Sequence, residues 1–532
     1  MSSYFKKNFG IISIFILISL TCLFFSCSKE GMFIDEIYSL GLSNSYYMPF
    51  IKDFNSGNIL DTVITQQELI DYISVGPDDA FSYDSVYFNQ VQDVHPPLYY
   101  WLLHTACSVS AVFAVWQSQL VSAMILDYLF YIAALFVLYI LVKKLFNSSY
   151  LATAAVALYG LSGIGLSTML MIRMYVLLTL FTLLLSHSVL CILRRGRFSD
   201  YVLLFFSILG GFLTQYYFIF YAFSLCGTFV IFSICKKNVK KALIFSITAL
   251  SAVGVFALIF PAYFDHLSAD KLVSGGNALE NVMSLSQYSS RIISYAANYA
   301  YWMKAILLII ALLFIACAVF GKKIMAVAPE SKPLSEYALL LLPAVLAFLV
   351  IAICSPIIAV RYVYNIAPIF IIFVVLLIYL FLTAFPEKIL ARLKPILLVL
   401  IVAVSLFSLY MQNPDYLYPE QQEQLLLLEN YSDSPCLYIN NNYNAPITQD
   451  LFKLLTFEDF FVTSDTASNK MLEYIGDADS VVVFIDTDSF WSSGFDPKQV
   501  VGELGNNTGL THITELYSYK LSTVYLMEDI DQ

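Results

Sequence analysis

Four short strings in this chain of 532 residues hold the side chains that could do chemistry. The first is Phe33-Ile34-Asp35-Glu36-Ile37-Tyr38-Ser39-Leu40, with two adjacent carboxylates shortly after a long apolar run. Water is scarce beside a membrane, and a charge there is costly unless it is used or paired. Taken alone, the pair also reads as the acidic start of a loop. The second string is Asp93-Val94-His95-Pro96-Pro97-Leu98-Tyr99-Tyr100-Trp101. Its two prolines fix the backbone and aim the preceding imidazole. His95 alone would equally suit a rigid loop anchor, and Tyr99, Tyr100 and Trp101 suit the aromatic belt of a bilayer interface. The third and fourth strings are Met171-Ile172-Arg173-Met174-Tyr175 and Ile358-Ala359-Val360-Arg361-Tyr362, the latter just after Ser355-Pro356. Each puts an Arg-x-Tyr or Arg-Tyr pair at the end of an apolar run. Snorkelling explains a lone arginine there, and pairing with an anion at the interface is the alternative.

The elements that must position these groups are membrane spans. Hydrophobic residues make up 59% of the chain, aromatics 16% and charged residues 13%, with a mean hydropathy of +0.74. An ordinary soluble domain carries about 25% charged residues, so a water-soluble enzyme of this length is excluded. Disorder is excluded by the apolar content. Eleven apolar runs are long enough to cross a bilayer, which takes about 20 residues each. They lie near 8–26, 119–142, 151–170, 174–193, 201–219, 220–235, 242–262, 302–320, 336–354, 364–384 and 395–411.

Loop charges orient the spans. Lys6 and Lys7, Lys143 and Lys144, Arg194, Arg195 and Arg197 fall at one set of ends, followed by Lys236, Lys237, Lys240, Lys241, Lys322, Lys323, Lys388, Arg392 and Lys394. They occupy every second connection, and basic loops stay cytoplasmic. The N-terminus is therefore expected in the cytoplasm and the C-terminus outside. On this topology all four chemical strings face outward, which favours a shared function over four coincidences. The first outer loop, about 28–97, has 11 acidic and 2 basic residues. Within it, Asp61–Ser74 looks amphipathic and is expected along the membrane surface. The second outer loop covers about 263–301.

Net charge is −11, but it is split. Residues 412–532 carry 20 acidic and 4 basic residues. Phosphate would be repelled, so nucleic acid is not an expected partner. This tail reads as a small α/β layer domain outside the cell. Strands are expected near 436–440, 460–463 and 480–485, and helices near 449–455, 469–475 and 498–504. A closing hairpin is expected over 514–527. The tail holds no Gly-rich phosphate loop. Its one cysteine, Cys436, has no partner within the tail for a bridge.

The order Asp-Glu-Ile-Tyr, then Asp-x-His-Pro-Pro-Leu-Tyr-Tyr, then Arg-Met-Tyr and Arg-Tyr resembles the membrane glycosyltransferases of the GT-C superfamily. The likeness is to the bacterial relatives of protein O-mannosyltransferases (glycosyltransferase family 39), and more distantly to transferases of aminoarabinose onto lipid A. It covers about 8–411. The implied fold is a polytopic α-helical GT-C body, residues 1–411, followed by the extracytoplasmic domain 412–532. The implied setting is the plasma or inner membrane.

The resemblance implies transfer of a sugar from a polyprenyl-phosphate donor to an acceptor hydroxyl on the outer face, in glycosylation of the cell envelope or of protein. Asp35 would be the general base and Glu36 would orient the acceptor or hold a cation. Arg173 and Arg361, with Tyr175 and Tyr362, would bind the departing lipid phosphate. His95 would bond donor phosphate or sugar, or buttress its loop, with Asp93 as its partner. The expected partners are the lipid-linked donor, a glycan, lipid or protein acceptor, and membrane lipids. Some relatives bind a divalent ion, for which Glu36, Asp93, His95, Asp265 and His266 are the candidates. Their spacing is not diagnostic, so no metal is assigned. The stretch 41–92 is longer than such loops usually are and is expected to form a lid for the acceptor. The competing reading is a transporter or flippase of lipid-linked glycans, which calls for charges near mid-bilayer. Asp127 is the one clear instance.

Overall fold

A computed structural model describes residues 2–51, 58–111, 116–266, 278–321, 335–488 and 494–529. Lys322 and Lys323, used above in the topology, lie outside them. The chain forms two compact units. The helical body contains Met1–Ser28, Val94–Tyr99 and Met124–Asp415. The α/β unit contains Lys29–Asp93, Tyr100–Ala123 and Tyr416–Gln532. The C-terminal domain expected at 412–532 therefore shares its fold with the first loop.

In the body, all eleven expected spans fall on apolar helices. Eight are unbroken and long enough to cross a membrane, among them Phe9–Cys27, Gln117–Phe146, Tyr175–Arg194 and Val360–Thr383. The span expected at 151–170 is a bent pair, Ser149–Gly160 with Gly163–Leu170 at 62°, and the one expected at 302–320 is the second half of another, Leu285–Trp302 with Lys304–Ala316 at 92°, whose first half is helical where an outer loop was expected. The remaining one, Phe198–Thr214, is shorter. The first bend has a local cause. Ser162 Oγ accepts the Gly165 N–H at 3.1 Å and so caps the new helix. A Cβ on Gly165 would stand 2.3 Å from the Tyr159 carbonyl, so only glycine fits under the turn. Large apolar side chains such as Phe223, Leu250, Leu258 and Val399 are exposed on the helices. That surface suits lipid rather than water.

The α/β unit is built on a six-stranded sheet in the order β1-β3-β2-β4-β6-β5. The strands are β1 (Thr62–Thr65), β2 (Cys436–Ile439), β3 (Asp459–Thr463), β4 (Ser480–Asp486), β5 (His512–Tyr519) and β6 (Ser522–Glu528). β2 runs parallel to β3 and to β4, with crossover helices Asn444–Leu454 and Asn469–Ile475. Central parallel strands are covered on both faces and read as continuous apolar runs. Val481, Val482, Val483, Phe484 and Ile485 of β4 are accordingly all buried. The tail elements expected from the sequence are all present.

The first loop supplies the edge strand. β1 pairs antiparallel with β3, Thr62 facing Val462 and Thr65 facing Asp459. The Thr463 hydroxyl donates to Asp61 Oδ1 at 2.9 Å. The expected surface-lying segment instead forms the helix Gln66–Ile73, opened by a reciprocal cap in which Glu68 accepts the Thr65 N–H at 2.8 Å. It buries Leu69, Tyr72 and Ile73 inside the protein. An amphipathic stripe answers equally to lipid and to a protein core, and here the core takes it. The stretch 41–92, expected as a lid, is built into this unit over its described residues.

Gly41 shows how tightly the loop is packed. A Cβ there would lie 2.1 Å from the Tyr72 ring, which is fully buried. Gly41→Ala is expected to destabilise the protein by about 1–3 kcal/mol through overpacking, read as a lower melting temperature of the purified protein. An unchanged melting temperature would contradict this packing.

Candidate functional site

In the helical body, Arg173 occupies the break between the Gly163–Leu170 and Tyr175–Arg194 helices. Its N–H turns back onto the Met171 carbonyl at 2.7 Å, and the residue is 5% exposed. Arg173 thus comes two positions before a 20-residue helix, and backbone N–H groups at a helix start favour an anion. Arg173 Nη2 is 3.4 Å from His95 Nε2. A guanidinium only donates, so in this pairing Nε2 accepts and the imidazole proton sits on Nδ1. His95 precedes Pro96 and Pro97, both buried, just ahead of the Leu98–Ala111 helix.

The second arginine motif belongs to the same wall. Arg361 and Tyr362 lie in the 3-10 turn Val360–Ile366. Arg361 Cζ is 5.3 Å from the Tyr362 ring centre, and that ring packs edge-on against Tyr217 at 5.0 Å. The turn is tied to the Tyr175–Arg194 helix twice. Asn365 Nδ2 donates to Thr182 Oγ1 at 3.1 Å, and Tyr364 meets the buried Tyr175 ring edge-on at 6.2 Å. Tyr175 thus packs the wall that joins the two arginine motifs.

Two supports of this wall were not singled out from the sequence. Buried Arg291 donates through Nε to the Ala352 carbonyl at 3.1 Å and through Nη2 to the Ser355 carbonyl and to Ser355 Oγ at 3.2 Å. It closes the C-terminal end of the Ser335–Cys354 helix, where a cation is favoured. Tyr295 Oη donates to the Ile357 carbonyl at 3.0 Å and shares a second hydrogen bond with Ser355 Oγ at 2.6 Å, in which the serine hydroxyl can be the donor. Together they prop the segment leading into Arg361. Arg291 breaks the loop-charge pattern as Arg173 and Arg361 do, and that signal could have found it. Asp127 is fully buried and both its oxygens lie 3.1 Å from Tyr99 Oη.

In the α/β unit, the helix Ile34–Asn44 presents Asp35 and Glu36 in its first turn. Adjacent helical positions point about 100° apart, and the two carboxylates part company. Glu36 is buried. It accepts the Phe33 N–H at 2.7 Å and pairs with Lys29 Nζ at 3.0 Å. Lys29 and Glu36 side chains are 3% and 0% exposed, and Lys29 Nζ also donates to the Tyr416 carbonyl at 2.7 Å. The cation that Glu36 holds is therefore an ammonium of its own chain. Asp35 remains partly exposed. Asp93 ends the Tyr83–Gln92 helix, its N–H bonded to the Asn89 carbonyl at 3.0 Å.

Asp35 and Asp93 act on a common neighbour. Burial pushes the Tyr38 phenol above its ordinary range, a hydrogen bond with Thr448 opposes this, and Tyr443, Asp93 and Asp35 add to the rise. Tyr38 is consequently a neutral hydrogen-bond donor at physiological pH beside two carboxylates. The sequence did not single it out for this.

The candidate metal ligands do not assemble. Among the described residues no three His, Cys, Asp or Glu side chains form a group able to hold an ion. His266 is buried against Phe260, with Nδ1 2.8 Å from Tyr216 Oη, and Asp265 is exposed. Glu36 is taken up by Lys29.

Residues 94–261 match the family described as dolichyl-phosphate-mannose-protein mannosyltransferase. The resemblance seen in the motifs is thus borne out over a stretch that includes His95, Arg173 and Tyr175, while Asp35, Glu36, Asp93, Arg361 and Tyr362 lie outside it. No curated protein matches the chain. Two crystal structures of ArnT from Cupriavidus metallidurans resemble it in overall course, each with a TM-score of 0.46. The one bound to undecaprenyl phosphate is 9% identical and covers 96% of this chain and 97% of its own. The apo form is 10% identical and covers 98% of both. Likeness at that level fixes no chemistry.

Lys29→Met would leave the Glu36 carboxylate buried without its cation. Breaking one side of a buried pair costs about 3–5 kcal/mol, and the double variant Lys29→Met/Glu36→Gln is expected to recover part of that loss. Thermal unfolding of both variants measures it. Equal stability of Lys29→Met and wild type would refute the pairing.

Proposed function

We propose that the chain is a membrane glycosyltransferase that moves a sugar from a polyprenyl-phosphate carrier to an acceptor hydroxyl. The observation that carries this reading is the Arg173–His95 pair at the start of the Tyr175–Arg194 helix, inside the stretch that matches the mannosyltransferase family. A buried arginine just ahead of a helix N-terminus suits a phosphate that gains charge as its sugar departs. Stabilising a leaving anion in a water-poor site is where fixed charge lowers a barrier most. Arg361 serves the same anion, and Tyr175 and Tyr362 shape the wall that holds both arginines.

Asp35 is the general base. It takes the proton of the acceptor hydroxyl as that oxygen attacks the anomeric carbon, and the polyprenyl phosphate leaves as an anion. A base must come within about 3 Å of the proton it removes. Tyr38, a neutral donor beside it, orients the acceptor. Glu36 sets the start of the helix through Lys29. The alternation of basic span ends supports a cytoplasmic N-terminus and an α/β unit outside, in a multi-pass protein of the cell membrane. A transporter reading drew on Asp127 as a charge within a span, and Asp127 is engaged by Tyr99.

The test uses membranes holding the full chain and a panel of labelled polyprenyl-phosphate sugars. Asp35→Asn is expected to lower transfer by at least about 100-fold, the usual weight of a general base, while binding labelled polyprenyl phosphate as wild type does. Arg173→Ala is expected to weaken that binding. Undiminished transfer by well-folded Asp35→Asn would falsify the base, and movement of the carrier lipid without any glycosidic product would favour the transporter.

A further inference from the structure

The segment that leads into the Asp35 helix is gripped by the last part of the chain. Glu30 donates its N–H to the Leu417 carbonyl at 2.8 Å. One glutamine serves both backbone groups of Met32, since Gln421 Oε1 accepts the Met32 N–H at 3.0 Å and Gln421 Nε2 donates to the Met32 carbonyl at 2.9 Å. The side chain stands in for a pairing strand. Gly31 permits the approach, because a Cβ there would lie 2.6 Å from the Gln421 side chain. Gln421 Nε2 also donates to Tyr519 Oη at 3.0 Å, and Tyr519 Oη donates to Glu420 Oε1 at 3.3 Å.

The next residue, Lys520, sits in the turn between β5 and β6 with φ +49°. That left-handed conformation favours glycine or asparagine, so a lysine is retained there at a conformational cost. Its ammonium is 4.3 Å from the Tyr418 ring centre and 4.9 Å from those of Phe33 and Tyr519. Three ring faces around one cation make a cage. Phe33 stacks on Tyr418 at 6.5 Å and is the residue immediately before the Ile34–Asn44 helix. The hairpin tip is thus clamped onto the start of the helix whose second residue is Asp35.

We propose that the α/β unit is the positioning device for the Asp35 carboxylate, with Gln421 and Lys520 as its positioning residues. This rests on Asp35 being the general base. A base displaced by about 1 Å loses on the order of 100-fold in rate, and a helix N-terminus at the end of a loop needs an external hold to stay within that tolerance. Two independent grips supply it, a double hydrogen bond to Met32 and a caged cation over Phe33.

The test compares Lys520→Met, Lys520→Arg, Gln421→Leu and Asp35→Asn with Val500→Ala, at a residue of the same unit's apolar core, a cluster that includes none of the clamp residues. Each variant is assayed for transfer from whichever labelled polyprenyl-phosphate sugar wild type uses, for binding of radiolabelled polyprenyl phosphate and for melting temperature. Lys520→Met and Gln421→Leu are expected to lower kcat by roughly ten-fold or more with unchanged polyprenyl-phosphate binding, and Lys520→Arg to restore most of it. Val500→Ala is expected to lose melting temperature without losing kcat. Wild-type kcat in Lys520→Met, or a kcat loss in Val500→Ala matching its stability loss, would overturn the clamp. So would lost polyprenyl-phosphate binding in Lys520→Met. Full activity in Asp35→Asn sinks the base itself, whereas an inactive Asp35→Asn beside a fully active Lys520→Met sinks the clamp alone.

Discussion

The buried ion pair between Lys29 and Glu36 is the interaction on which the candidate catalytic edge of the α/β unit depends. Removing two charges from water is expensive, and the cost is offset only where geometry and further hydrogen bonds are good. Both conditions are met. Glu36 receives the Phe33 N–H as well as the ammonium, and Lys29 also reaches the Tyr416 carbonyl. The pair therefore fixes the first turn of the Ile34–Asn44 helix and sews it to the chain at residue 416. Because neighbouring helical residues diverge in direction, holding Glu36 inward leaves Asp35 partly exposed. Two carboxylates adjacent in sequence acquire two jobs from one constraint.

The helical body answers a different constraint, that polar groups surrounded by lipid or by apolar side chains must find partners within the protein. Asp127 is engaged by Tyr99, and Arg291 by the carbonyls at the end of the Ser335–Cys354 helix. The bend at Leu161 and Ser162 is capped by a serine hydroxyl. Arg194 pairs with Glu336 at 2.5 Å and Arg195 with Asp200 at 2.7 Å, so these basic span ends also join helices. Arg173 stands apart in kind. Its neighbour His95 is an imidazole, 3.4 Å from Nη2, rather than a backbone carbonyl or a phenol.

Much of the fold was legible because the signals are local. A run of about 20 apolar residues announces a span wherever it occurs, and every expected span falls on an apolar helix. The tail strands were equally readable, since Val481–Ile485 is a short apolar run bounded by turn residues. What was not legible depends on partners distant in sequence. Nothing in Thr62–Thr65 says that it will pair with Asp459–Thr463, some four hundred residues on. The stripe on Gln66–Ile73 has the same pattern whether it meets lipid or a core, and Tyr72 lying over Gly41 decides the matter. The expected division at residue 411 left the first loop with the membrane body, whereas the sheet takes its edge strand Thr62–Thr65 from that loop.

By itself the sequence determined where the apolar spans run and the inventory of reactive groups: a charge-poor body, an acidic tail, two arginine motifs, an imidazole before paired prolines and a carboxylate pair. These follow from composition and from spacing along the chain, which need no folding to be true. Only the tertiary structure decided which groups meet. It gave Glu36 to Lys29, Asp127 to Tyr99 and His266 to Tyr216, set Arg173 against His95, and brought residues 416–421 and 520 to the helix that starts at residue 34. Those outcomes turn on contacts between residues far apart in sequence, where burial and the loss of water set the strength of every charge.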